Sequence, residues 1–339
     1  MSGMKAMILG AAGKGLSSNE IAFYGDERPW GFILFARNIG EPSQIRDLVA
    51  SMRDSVGRAD APVFIDQEGG KVQRLRPPVA PNYPSAQSIG ALYKSDREAG
   101  LRAAWLLARL HAFDLARLGV TVDCLPVLDV PIEGANDVIG SRAYGKDPQA
   151  VIALGRATAD GLMAGGVLPV MKHVPGHGRA FADTHLALPV VEASRADLEA
   201  HDWAPFKALN DLPMAMTAHV IYAAIDAKRP ATTSRTVIEE IVRGAIGFDG
   251  LLISDDTSMK ALDGTFPEKA ERILDAGCDI VLHCNGVMEE MRGIASSTRE
   301  LSGRSLESAD RVLALAHAGD ALAEADARAE FAQHFDAVA

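Results

Sequence analysis

The 339 residues carry 34 Lys and Arg against 45 Asp and Glu, a formal net charge of −11, with 48% hydrophobic and 23% charged residues. That apolar content supports a large folded core and excludes a mainly disordered chain, while the acidic balance and the lack of basic runs interleaved with aromatics argue against nucleic acid as a partner. At about 150 residues per domain the length would make two domains, yet one α/β barrel with insertions absorbs it equally well.

Eight short apolar runs recur along the chain, at residues 4–9, 31–35, 61–65, 119–124, 166–171, 213–218, 250–254 and 279–283. Most are nearly continuous rather than alternating, as expected of parallel strands buried on both faces. Between them, 42–57, 97–118, 148–165, 195–210, 234–247 and 266–276 have helical composition, and Gly119, the Gly165-Gly166 pair and Gly277 stand where a left-handed residue would end a helix. An alternating chain with eight strands favours, over an open doubly wound sheet, an α/β fold that is a single-domain (β/α)8 TIM-like barrel over 1–339, with a C-terminal helical extension at about 305–330. Segments 66–90 and 124–147, rich in Pro, Gly, Asp and Arg, are expected as loops on the active face.

No apolar run reaches 18 residues, and MSGMKAMILGAAG has neither a basic leader nor a long apolar stretch, so the expected location is cytoplasmic. Cys124, Cys278 and Cys284 are too few and too far apart for a disulfide framework or a cysteine-rich zinc site; they read as small buried hydrophobes in a reducing compartment. With no heptad run, a monomer is expected.

On this strand map Asp66, Asp123, Lys172, His173, His219, Asp255, Asp256 and His283 fall at or near strand ends, which converge in a barrel. In MKHVPGHGRAFADTH, Asp183 and His185 are two residues apart beyond a Pro/Gly-rich turn, the spacing of an acid/base pair or of simple loop hydrogen bonding. Asp255, directly after GLLIS, could attack an electrophilic carbon, hold a cation or be structural, with Asp256 a loop support or helix cap. In FIDQEGGKVQRL, Asp66 could accept sugar hydroxyls and Arg74 could hold an acidic or hydroxyl-rich ligand, while Glu68 could belong to a carboxylate pair. GAAGKG at 10–15 lacks phosphate-loop spacing, and Pro175 and Gly176 between His173 and His177 oppose a helical zinc pair, although dispersed metal ligands stay open.

Taken in order, FIDQEGGKVQRL, NDVIGSRAYG, KHVPGHGRAFADTH, MTAHVIY and LLISDDTSM resemble the bacterial β-N-acetylhexosaminidases of glycoside hydrolase family 3, over most of residues 5–285. The resemblance implies that Asp255 is the nucleophile of a retaining exo-glycosidase, His185 its general acid/base and Asp183 the partner of that histidine. It implies further that Asp66, Arg74, Arg142, Lys172 and His173 bind the terminal N-acetylhexosamine, that Glu68 supports them, and that no metal or other cofactor takes part. The implied substrate is terminal β-linked N-acetylglucosamine, especially in GlcNAc-anhydro-N-acetylmuramic acid derivatives formed in cell-wall recycling. Lys71 departs from the arginine common in related sequences and lacks its bidentate fork. A broader β-glycosidase, a metal-dependent amidohydrolase and a noncatalytic carbohydrate-binding protein are the alternatives.

Overall fold

The computed structural model describes residues 3–134, 138–180 and 188–335. Eight parallel strands form one sheet: β1 (Lys5–Gly10), β2 (Pro29–Leu34), β3 (Val63–Ile65), β4 (Val122–Asp123), β5 (Leu168–Val174), β6 (Met214–Thr217), β7 (Leu251–Ile253) and β8 (Val281–His283). Each of the eight apolar runs supplies one strand. All six residues of β2 and all seven of β5 are buried, the pattern of a sheet covered on both faces. Leu9 pairs with Phe32 on one side and His283 on the other, so β8 returns beside β1. The last seam, between β7 and β8, is closed by a parallel bridge from Ile253 to Ile280 and by the Ser254 N–H on the Ile280 carbonyl at 2.9 Å. The result is a near-closed barrel.

Helices 97–116 and 148–164 begin at Asp96 and Asp147, whose carboxylates accept backbone N–H groups of the first turn. They pack together at Gly161, where a methyl group would run into the Trp105 carbonyl oxygen and the Ala108 side chain. After β8 come helices 288–297, 303–314 and 324–331. The last docks on helix 97–116: Arg328 bonds Asp114 at 3.0 Å, and Phe331 is fully buried. No described helix is long and apolar enough to cross a membrane. The three cysteines are free and buried, as expected.

Two segments of helical composition are helical in an irregular way, and one expected loop needs correction. Segment 195–210 is not one α-helix but a broken run, with a wide turn over Leu198–Asp202 closed by Trp203 N–H on the Leu198 carbonyl, and a short helix from Ala204. Pro205 at the start of that piece has no N–H to continue the preceding ladder. Segment 234–247 likewise forms a wide-turned helix over Val237–Ala245. Segment 66–90 is not wholly loop: Gln67–Gly69 pairs antiparallel with Val72–Gln73, and a helix runs from Ala86 after the Ser85 cap.

Gly161→Ala is expected to lower unfolding free energy by about 1–3 kcal/mol, because the helix pair must part to admit the methyl group. Denaturant titration checks this; an unchanged midpoint would show that the contact is not tight.

Candidate active site

The exits of the strands surround a cleft of about 410 Å³ lined by Asp66, Arg74, Arg142, Lys172, His173 and Asp255 among others. Its wall is built around Lys172, near the end of β5 and 1% exposed. The ammonium meets Asp66 Oδ1 at 2.9 Å and Glu68 Oε1 at 2.7 Å. Asp66 Oδ2 accepts from Arg74 at 2.9 Å, and both Glu68 oxygens accept from Arg142, at 2.7 and 2.8 Å. The Arg74 guanidinium also lies over the Phe35 ring, 4.7 Å from its centre.

Burial alone would push the Asp66 and Glu68 carboxyls up. Lys172 and Arg74 outweigh that for Asp66, and Arg142 and Lys172 for Glu68, so both lie below the usual carboxylate range. Conversely, burial would lower the Lys172 pKa, but the two carboxylates hold it above its ordinary value. Two anions and three cations thus form one ionised network, in which Glu68 bridges Lys172 and Arg142.

Asp255 stands half-buried just beyond β7. One of its oxygens accepts the Asp256 N–H at 2.8 Å. Burial pushes its pKa up, while His219, His173, the Asp256 N–H and Lys172 bring it below the ordinary value, so the carboxylate is ionised. Asp256 holds the turn instead: its Oδ1 accepts the N–H groups of Ser258 and Cys284, each at 3.0 Å, and its Oδ2 accepts the Ser258 hydroxyl. The other strand-end residues do not line the cleft. Asp123 is fully buried and accepts the Gln67 N–H at 3.0 Å; His219 bonds Thr232 and the Asp256 carbonyl; His283 bonds Thr257.

Asp183 and His185 lie outside the described residues. The segment leading to them is anchored: Tyr222 donates its hydroxyl to the Gly176 carbonyl at 2.6 Å, and Arg179 bonds Asp202 at 2.6 Å. Gly178 passes so close to Val130 that a side chain there would strike the Val130 carbonyl. Two residues escaped the sequence reading as parts of this site. His177, weighed only as a metal ligand, lines the cleft, and Asp129 bonds both His173 and His177 from behind. Among the described residues no group of His, Cys, Asp and Glu has the arrangement of a metal site.

Strand-end carboxylates beside a cationic wall in a (β/α)8 barrel are the arrangement a glycoside hydrolase uses. Residues 27–315 match the family model for the glycosyl hydrolase family 3 N-terminal domain, and the chain belongs to glycoside hydrolase family 3. Within it, the relatives are β-hexosaminidases. The β-hexosaminidase of Alkalilimnicola ehrlichii is 39% identical over 82% of this chain and 80% of its own length, and that of Methylococcus capsulatus is 37% identical over 89% and 93%. Among solved structures, NagZ from Neisseria gonorrhoeae in complex with N-trifluoroacetyl-D-glucosamine superposes with a TM-score of 0.87 at 29% identity, covering 99% of this chain and 98% of that one. The chain is a family 3 glycoside hydrolase of the β-hexosaminidase type.

Arg142→Met removes one of the two cations on buried Glu68 while Lys172 stays, and is expected to cost about 1–3 kcal/mol of stability. The double variant with Glu68→Gln should lose less than Arg142→Met alone in denaturant melts; an equal or larger loss would contradict the pairing. Burial lowers the His177 pKa from 6.5 to about 4, despite nearby Asp129. The unfolded chain therefore binds the extra proton first, and stability should fall as pH drops from about 6.5 to about 4, by a share on the order of 3 kcal/mol. Melts across that window should show a shallower slope in His177→Gln; an identical slope would remove His177 as the cause.

Proposed function

We propose that the protein is a retaining exo-β-N-acetylglucosaminidase, releasing terminal GlcNAc from muropeptides such as GlcNAc-anhydro-N-acetylmuramic acid. The observation that carries this reading is the ionised Asp255 in a cleft whose other wall is the Asp66–Lys172–Glu68–Arg142 network. Asp255 attacks the anomeric carbon and forms a glycosyl-enzyme through an oxocarbenium-like transition state. Asp66, Arg74, Arg142, Lys172 and His173 hold the N-acetylhexosamine; a wall with its charges already paired can meet sugar hydroxyls without rearranging.

Retaining glycosidases generally use a second carboxyl as the acid. Among the described residues lining the cleft, Asp66 is engaged by two cations and Asp256 accepts three hydrogen bonds, which leaves neither suited to donate a proton. That supports a histidine in the role: His185 protonates the glycosidic oxygen and then activates water, with Asp183 orienting its ring. A cytoplasmic setting belongs to the same reading and is supported by three free, buried cysteines.

Incubated with GlcNAc-anhydro-N-acetylmuramic acid, the wild-type protein should release GlcNAc first as the β-anomer by NMR, and faster than it releases glucose from a matched glucoside. Asp255→Ala should reduce the rate about 10³-fold or more. α-Anomer as first product, or an Asp255→Ala variant of equal activity, would overturn the mechanism.

A further inference from the structure

His173 is proposed above to meet the sugar, and a histidine can do so in two opposite ways, as a hydrogen-bond donor or as an acceptor, depending on which ring nitrogen carries the proton. We infer that Asp129 is the positioning residue that settles this: it holds a proton on His173 Nδ1, turns Nε2 toward the ligand, and with its second oxygen pins the His173–His177 turn against the barrel. This inference rests on the proposed sugar-binding role of His173 for its consequence, but not for its geometry.

Asp129 is fully buried and absent from the cleft lining. Its Oδ2 lies 2.7 Å from His173 Nδ1. Its Oδ1 accepts the backbone N–H of His177 at 2.6 Å and that of His173 at 3.2 Å. Burial would raise the carboxyl, but His173 and His177 bring it down to about 2, so it is ionised and can only accept. A proton must therefore sit on Nδ1. Nε2 is left as the ring atom available to the cleft that His173 lines with Lys172 and Asp255.

The ring is held in place on its other sides as well. His177 packs edge-on against it, with ring centres 5.8 Å apart. The chain beyond Asp129 runs beside the turn, where Ile132 N–H reaches the Gly178 carbonyl at 3.4 Å and leaves no room for a side chain on Gly178. Rotating the imidazole by half a turn would set a carbon against Asp129 and leave a buried carboxylate oxygen short of its donor, a costly exchange.

Asp129→Asn preserves size but offers one acceptor oxygen where three donors converge. With that oxygen on the two backbone N–H groups, the amide NH₂ faces Nδ1 and forces the proton to Nε2. The test uses protein labelled with ¹⁵N in histidine, with the His173 ring signals assigned by their loss in His173→Gln. The ligand-free wild type should show a protonated Nδ1, and Asp129→Asn an unprotonated one, with the affinity for free N-acetylglucosamine by calorimetry weakened about ten-fold. A bare Nδ1 in the wild type overturns the inference without any variant having to fold. So does an Asp129→Asn protein whose His173 Nδ1 stays protonated. Because the ring signals are read without ligand or turnover, they test the inference apart from the proposed function; an error in that function would appear in the hydrolysis assay and as an unchanged N-acetylglucosamine affinity beside an unprotonated Nδ1.

Discussion

The site depends on one burial: the Lys172 ammonium is placed inside the protein, near the end of β5, with almost no access to solvent. An unpaired charge there would cost several kcal/mol, so its position requires the two carboxylates that meet it. Asp66 and Glu68 both come from the chain leaving β3, and pairing them with Lys172 ties the exits of β3 and β5 together. Two anions around one cation would in turn carry an excess negative charge, and Arg74 on Asp66 and Arg142 on Glu68 more than offset it, leaving the network one positive charge in excess. Each member is held by at least one other, which gives the cleft a rigid polar wall.

That rigidity separates holding from reacting. Asp66, Glu68 and Asp256 are committed as acceptors, whereas among the described residues Asp255 accepts through one oxygen from its neighbour's N–H and lines the cleft. In the mechanism proposed for this family 3 hydrolase the sugar is fixed while charge develops at its anomeric carbon, a task for which a wall whose dipoles are already set needs little reorganisation. Asp129 extends the same arrangement one layer outward, by fixing the face that His173 shows to the cleft.

The barrel was legible because parallel strands covered on both faces leave continuous apolar runs, and each such run became a strand. Asp66, Lys172, His173 and Asp255 were legible for the related reason that strand exits in a barrel meet at one face. Asp123, His219 and His283 obeyed the same rule yet were taken up by internal hydrogen bonds, a distinction that depends on which way each side chain points. Asp129 in VLDVP carries no local mark, since its partners are 44 and 48 residues away. The wide turns at Leu198–Asp202 and Val237–Ala245 were hidden too: helical composition does not report the hydrogen-bond spacing that packing imposes. The helix from Ala86 was masked by the Pro- and Gly-rich chain before it, although Ser85 is a good cap.

The central claim is that the carboxylate just beyond β7 makes the covalent bond to the sugar. It is tested most directly by incubating the protein with a fluorinated N-acetylglucosaminide that slows breakdown of the glycosyl-enzyme, then digesting and sequencing the labelled peptide by mass spectrometry. One sugar attached through an ester to Asp255 is the predicted result. Attachment to another residue, or turnover that leaves no adduct and yields the inverted anomer, would contradict the account.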